Sequence, residues 1–304
     1  MRITLIHNPS AGDEETTSEQ LLGLIREAGH DVVGVSLKHD DYPVALQDPG
    51  DLVAVAGGDG TLRRVATELI GREIPIAILP AGTANNIART LEIDGSFEEL
   101  VASWRNSSIK KFDVGIVSAP SGTAHFIEGM GLGLFSKTMS MLTLFDEETS
   151  AEFDHAEDKL ERDIKALKGI LRDYKVSPLG VELDGQDRSG EYLLVEAMNI
   201  NYIGPNLFLG PASDPSDGYL DFIFVPEKKR EELSQYLAGR LEGKEEAPHL
   251  DFERGKRLVL QWDGEEEMHV DDKIWPESKM QGRSPQLIDV KVNPGALWFL
   301  CATS

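Results

Sequence analysis

The chain has 304 residues, with 30 Lys and Arg against 53 Asp and Glu, a formal net charge of −23 and 40% hydrophobic residues. That hydrophobic share excludes bulk disorder, and the length is enough for two domains that each bury their own core. So acidic a body repels phosphate backbones, which excludes nucleic acid as a general partner and requires a local basic patch for any anionic surface the chain must meet.

The lone cysteine, Cys301, excludes an intramolecular disulfide and a cysteine-rich zinc site. The run Ile3-Thr4-Leu5-Ile6 gives way to turn residues too soon for a signal-peptide core. No segment reaches the ~20 apolar residues of a spanning helix, so the expected setting is cytoplasmic, at most peripheral at a membrane.

In chain order, Ile3 to Ile6 reads as a strand, Asn8-Pro9-Ser10-Ala11-Gly12 as a turn, and Leu21, Leu22, Leu24 and Ile25 as the apolar stripe of a helix that Gly29 ends. Val32 to Leu37 is a second strand. Leu52 to Ala56 is a third, apolar throughout as for a strand covered on both faces, and it runs into Gly57-Gly58-Asp59-Gly60-Thr61 and a helix from Leu62 to Ile70. Ile74 to Leu79 repeats this arrangement, ending in Pro80-Ala81-Gly82-Thr83-Ala84-Asn85-Asn86 before a helix through Leu91. The first domain, 1–110, is therefore predicted to be a mostly parallel α/β sheet with two Gly-Thr loops at one edge.

From Phe112 the texture changes to eight alternating strands, ending at Leu287 to Val292, which predict an antiparallel β-sandwich over 111–295. One helix is expected to interrupt it, with Ile164, Leu167, Leu171 and Tyr174 facing the core and Lys165, Lys168, Arg172 and Lys175 on the neighbouring stripe. The acidic runs Asp146-Glu147-Glu148 and Glu265-Glu266-Glu267 read as solvated turns.

Glycines 57, 58 and 60 after a buried strand let backbone N–H groups approach a phosphate, and the following helix adds its positive N-terminal end. Asp59 repels a phosphate directly, so it suits work through Mg²⁺ or a proton; the plain alternative is an N-cap at a strand-to-helix turn. In the second loop Thr83 offers a hydroxyl to a phosphate or adenine, and Asn85 can hold the loop shape or a ribose. No Lys follows the glycines as the Walker loop requires, and a dinucleotide fingerprint is absent.

With both loops in view, the chain resembles the diacylglycerol kinase catalytic-domain family of lipid kinases. The matching residues are Asn8 to Gly12, Gly57 to Thr61 and Pro80 to Asn85, then Phe112-Asp113-Val114-Gly115, Gly204, Pro211, Asp217-Gly218-Tyr219-Leu220-Asp221 and Pro294-Gly295-Ala296-Leu297. The Gly-Gly-Asp-Gly-Thr element is shared with NAD kinases and, loosely, phosphofructokinases; the other segments favour the lipid-kinase branch.

The resemblance implies an α/β nucleotide domain, a β-sandwich lipid domain, an active site in the cleft between them and a C-terminal strand near 296–304 that returns to the first domain. It implies ATP binding by Asn8, Gly57, Gly58, Asp59, Gly60, Thr61, Gly82, Thr83 and Asn85. It further implies Mg²⁺ held by Asp217 with the carbonyls of Asp214 and Tyr219, though Asp217-Gly218 also reads as a tight turn before a strand.

Two positions depart from the family pattern. Asn86 stands where Asp is common, and the last hairpin, where relatives carry Asp-Gly-Glu with the Glu as base, aligns with Asp271-Asp272-Lys273. A protonated Lys273 cannot be that base, so either Asp271 or Asp272 joins Asp59 as a catalytic carboxylate, or transfer proceeds with little help from a base, or the protein is not an efficient kinase; Asp263-Gly264-Glu265 matches in letters but falls at the preceding turn.

The leading reading is an ATP- and Mg²⁺-dependent kinase of a lipid alcohol such as diacylglycerol, serving phospholipid synthesis. Such a kinase needs a cationic feature to meet a membrane surface, for which the Lys165 stripe is the candidate, although a basic stripe beside a core-facing one reads first as a solvated face; a homodimer is also admitted. The alternatives are an NAD-kinase-like enzyme and a nucleotide-binding lipid sensor that has lost its catalytic carboxylate.

Overall fold

Leu52–Gly57, buried at every position, is the strand around which the first part of the chain is organised. The structure, a computed structural model, describes residues 1–9, 17–38, 42–149, 156–264, 266–276 and 286–302, and the side chains of 147–149, 156 and 157 are outside that description. Ser10, Ala11, Gly12 and Glu265 therefore lie outside the described residues, as do the side chains of Glu147 and Glu148. The chain forms two compact units, Met1–Phe112 with Gly295–Ser304, and Asp113–Pro294.

The first unit is α/β. Its strands β1 (Arg2–His7), β2 (Asp31–Ser36), β3 (Leu52–Gly57) and β4 (Pro75–Pro80) are parallel in the order β2-β1-β3-β4. Beyond β4, Trp298 and Phe299 of the last strand pair in parallel with Pro75 and Ile76. The helices are α1 (Ser18–Glu27), α2 (Tyr42–Ala45), α3 (Asp59–Thr67), α4 (Asn86–Thr90) and α5 (Phe97–Ser103).

Local chemistry sets the ends of two helices. Thr17 with Gln20, and Ser96 with Glu99, form capping boxes that start α1 and α5. Gly29, at φ 80°, turns the chain out of α1. Leu21 and Ile25, one turn apart, then bury against Ile3, Leu5, Leu52 and Ala54.

The second unit is a β-sandwich with a helical layer. Its elements are β5 (Ser107–Ala119), β6 (Gly122–Phe126), β7 (Gly129–Gly133), α6 (Leu134–Thr149), α7 (Ala156–Asp173), β8 (Ser177–Leu183), β9 (Gln186–Asp187), β10 (Gly190–Met198), β11 (Tyr202–Ile203), β12 (Leu207–Phe208), β13 (Leu220–Pro226), α8 (Arg230–Leu241), β14 (Phe252–Gly255), β15 (Arg257–Trp262), β16 (Met268–Val270), β17 (Lys273–Trp275) and β18 (Gln286–Ala302). Residues 107–112 of β5 and 295–302 of β18 belong to the first unit.

Side chains of β7, β10, β13 and β16 meet those of β8, β15 and β18 in one apolar cluster that includes Phe126, Phe222, Leu260 and Ile288. The opposite faces of β10 and β13 carry Leu194, Met198, Ile223 and Val225 into a second cluster with Leu167, Leu171, Leu233 and Leu237. β10 is thus buried on both faces, its apolar residues interrupted by Glu196.

The α/β and β-sandwich classes expected above are the ones formed. Two details differ. Three helices, not one, interrupt the second unit's strands, because α6 is apolar on several faces and shows no clear stripe. The described parts of the acidic runs are engaged by side chains: Asp146 lies in α6 and pairs with Arg162, while Glu266 and Glu267, in the turn between β15 and β16, accept hydrogen bonds from Tyr174 (2.7 Å) and Ser140 (2.9 Å). No helix among the described residues is long and apolar enough to cross a membrane.

Candidate active site

In the first unit the two Gly-Thr loops touch backbone to backbone. A Cβ on Gly58 would stand 2.9 Å from the Gly82 Cα, and one on Gly82 would overlap Gly58, so both positions require glycine. Asn85, in the left-handed region at φ 51°, folds its side chain onto its own loop: Oδ1 accepts from the Gly82 N–H at 3.0 Å and Nδ2 donates to the Gly82 carbonyl at 2.8 Å. Of the two roles expected for Asn85, the structure displays the holding of loop shape.

Asp59 ties the loops together. Its Oδ2 accepts from the Asn86 N–H at 3.0 Å and its Oδ1 from the Ile87 N–H at 3.1 Å, so it caps α4, not the helix it begins. Burial pushes the Asp59 carboxyl up, against the pull of the Ile87 and Asn86 amides. Asn86 is the first residue of α4, with its side chain buried.

Thr61 is buried and accepts from Asn8 Nδ2 at 3.0 Å, fastening the end of β1 to the first loop; a Cβ on Gly57 would press on it at 2.7 Å. Gly58 caps α3 without a side-chain hydrogen bond, and Gly60 follows half-buried in its first turn. Thr83 is half-buried and makes no hydrogen bond among the described residues. The site residues of the first unit thus gather around one loop pair, with the N-termini of α3 and α4 beside them.

In the second unit Asp217 precedes Gly218, which takes φ 76°. Buried Asp113, not singled out as a site residue, anchors this turn: its Oδ2 accepts from the Gly218 N–H at 2.6 Å and its own N–H donates to the Pro215 carbonyl at 2.6 Å. Asn199 Nδ2 donates to the Asp113 and Ile127 carbonyls, at 2.9 and 2.8 Å. The Phe-Asp-Val-Gly segment was the available signal for this anchor.

Asp214 accepts from the Ser216 N–H and hydroxyl, at 3.0 and 2.6 Å. Asp217 accepts from the Tyr219 N–H at 2.9 Å and forms an ion pair with Arg254 through Oδ2. The Tyr219 ring carries Arg254 at 5.0 Å and Lys256 at 4.6 Å from its centroid. One carboxylate with neighbouring carbonyls is hard-oxygen chemistry that suits Mg²⁺, so the turn fits the ion in kind, but a cation there shares Asp217 with the Arg254 guanidinium. No cluster of three His, Cys, Asp or Glu side chains able to hold a metal occurs among the described residues.

The last hairpin separates the two expected carboxylates. Asp271, buried and at φ 51°, aims its carboxylate into the backbone: Oδ1 accepts from the N–H groups of Ile127, Glu128 and Gly129 at 3.1, 2.9 and 3.1 Å, and Oδ2 from Ile127 at 3.1 Å. Successive N–H groups cradling an anion form a nest, here filled by the chain's own side chain. Asp272 is exposed beside it, and exposed Lys273 opens β17. Asp263 and Gly264 lie between β15 and β16.

Residues 2–117 match the sequence profile of the diacylglycerol kinase catalytic domain, and residues 148–301 that of the YegS C-terminal NAD kinase beta sandwich-like domain. Among curated proteins the chain is 23% identical over 284 residues to a diacylglycerol kinase of Bacillus subtilis, covering 89% of each chain. To a diacylglycerol kinase of Staphylococcus aureus it is 24% identical over 280 residues, covering 89% of this chain and 85% of that one.

Its fold is similar to the crystal structure of a diacylglycerol kinase from Bacillus anthracis, with TM-score 0.70, 22% identity, and coverage of 99% of this chain and 96% of that one. Yeast NADH kinase complexed with NADH shares the fold at TM-score 0.56 and 9% identity, over 99% of this chain and 84% of the yeast chain.

Proposed function

Because the chain belongs to the diacylglycerol kinase catalytic-domain family, we propose that it is an ATP- and Mg²⁺-dependent lipid kinase. It transfers the γ-phosphoryl of ATP to the hydroxyl of a lipid such as diacylglycerol. The observation that carries this reading is the locked loop pair, in which Asp59 joins two helix N-termini while Thr83 keeps its hydroxyl uncommitted.

Phosphoryl transfer rests on positioning and charge neutralisation more than on covalent chemistry. Glycines 57, 58 and 82 leave the loop backbone bare, so loop amides and the positive end of α3 face incoming phosphates without intervening side chains. Thr83 donates its hydroxyl to the nucleotide. Asp59 holds α4 at the fixed distance this cradle needs. Asp217, with the carbonyls of Asp214 and Tyr219, would hold Mg²⁺, which would supply positive charge to neutralise the phosphates. Asp272, exposed beside the buried Asp271, takes the acceptor hydroxyl's proton.

The test is incubation with labelled ATP and Mg²⁺ against vesicles carrying lipid alcohols, and in parallel against NAD. Label in lipid is expected. Label in NAD alone would establish the NAD-kinase-like alternative, and label in neither, with nucleotide still bound, would favour the lipid sensor that Lys273 suggests.

A further inference from the structure

Behind the Asp271 turn lie two titratable side chains that the reaction above does not use. His269 on β16 and Glu196 on β10 stand on strands that flank β7, and both are in register with Gly131. They meet over that glycine; a Cβ there would overlap the Glu196 carboxyl. His269 Nε2 lies 3.1 Å from each Glu196 carboxyl oxygen, and Nδ1 lies 3.0 Å from the Asp271 carbonyl.

A carbonyl oxygen only accepts, so Nδ1 carries a hydrogen. Nε2 then meets Glu196 either as a second N–H against a carboxylate or as a lone pair against a protonated carboxyl. Either way one proton is held between the two residues. Without it a lone pair would face an anion at side chains only 1% and 0% exposed, where an uncompensated charge is costly.

Burial alone would drive the proton off His269, but the Glu196 carboxylate and the Asp271 carbonyl and carboxylate outweigh it and hold the imidazolium above its ordinary range. Of the other elements packed on β16, β7 has no titratable residue. Lys137 of α6 and Lys273 of β17 are exposed, and His125 of β6 is half-buried.

We propose that the proton shared by His269 and Glu196 fastens the Asp271-Asp272-Lys273 turn, and that His269 is thereby a positioning residue for Asp272, a role that rests on the kinase reading. The fastening acts through Asp271, whose carbonyl His269 holds and whose carboxylate fills the nest of residues 127–129. Because the folded pKa is raised, the contribution is complete below the unfolded value of 6.5 and is lost as pH rises through the folded value.

Glu196→Gln separates the proton from the geometry. A glutamine amide donates to Nε2 of a neutral histidine whose Nδ1–H still reaches Asp271, so the contacts survive at every pH. Amide hydrogen exchange at residues 127, 128, 129 and 271, corrected for intrinsic rates, is compared between the wild-type protein and this variant from about pH 6 to about pH 10. Wild-type protection is expected to fall roughly tenfold for each unit by which the folded pKa exceeds its ordinary value, while the variant stays flat. Identical profiles in the two proteins overturn the proposal.

Should Glu196→Gln not fold, the His269 imidazole titration followed by NMR in the wild-type protein decides, and an ordinary or lowered pKa refutes it. For the positioning role, the alkaline fall of kcat should disappear in Glu196→Gln with KM for ATP unchanged. Exchange that follows the expectation in a protein that phosphorylates no acceptor would leave the fastening intact and remove the kinase reading. An alkaline fall common to both proteins would refute the positioning role itself.

Discussion

Asp271 is buried among backbone donors and Asp272 beside it is exposed, and their substitution separates structure from chemistry. Asp271→Ala strips a nest of backbone donors and is expected to cost on the order of 3 kcal/mol in chemical denaturation. Asp272→Ala should leave stability within about 0.5 kcal/mol of wild type and reduce kcat about a hundredfold or more, the scale of a general base. A mild Asp271→Ala variant would sink the nest assignment; an unimpaired Asp272→Ala variant would sink the base.

Arg254 offers a further residue-level test, because its guanidinium uses the carboxylate that a divalent ion needs. Arg254→Met should tighten Mg²⁺ binding by calorimetry, and weaker binding would mean that the arginine organises the site. Gly82→Val cannot report on nucleotide, since its side chain would collide with Gly58 before meeting any ligand. Thr83→Val is the informative change and should raise KM for ATP while the fold is retained.

At the scale of elements, α7 is held at its C-terminus by Arg230, which donates to the Leu171 and Tyr174 carbonyls. The expected stripe is present up to the helix end at Asp173, with Tyr174 and Lys175 beyond it: Ile164, Leu167 and Leu171 are buried, while the Lys165 and Arg172 side chains are 60% and 81% exposed. Lys165 and Arg172 already pair with Glu161 and Asp173, so their local field is partly spent. Reversing Lys168 and Arg172 to Glu should weaken binding to anionic vesicles in low salt and leave the thermal midpoint unmoved. Binding that ignores the reversal would leave α7 as packing alone.

Which elements the sequence makes legible follows from how local their causes are. The Gly-Thr loops could be read because glycine, threonine and asparagine are demanded there by contacts within a few residues or between adjacent strand ends. The helix α8 carries its signal in Leu233, Tyr236 and Leu237, which recur at helical spacing but are few and set amid strands. The Glu196, Gly131 and His269 arrangement was out of reach, because it depends on the pairing of three strands remote in sequence.

For the molecule as a whole, a charge of −23 spread over two units gives self-repulsion that salt screens. The thermal midpoint should therefore rise between about 0.05 and about 0.5 M NaCl, followed by scanning fluorimetry. A midpoint that falls would show that ion pairs such as Arg2 with Asp48 and Arg257 with Asp289 outweigh the net repulsion.

β18 has a consequence for how the protein is made. Phe299 and Leu297 are wholly buried in the first unit, where Trp298 and Phe299 close the β4 edge and Phe299 packs edge-to-face on Phe112 at 4.9 Å. A ribosome translating the chain emits β1 to β4 first, then all of the second unit, and only then the strand that β4 awaits. During synthesis at ~5–20 residues per second the β4 edge stays open as a template for pairing with another nascent chain. Chaperone demand should therefore peak before β18 emerges, and a chain stopped at Pro294 should be captured by holdase chaperones while a chain that includes β18 is not.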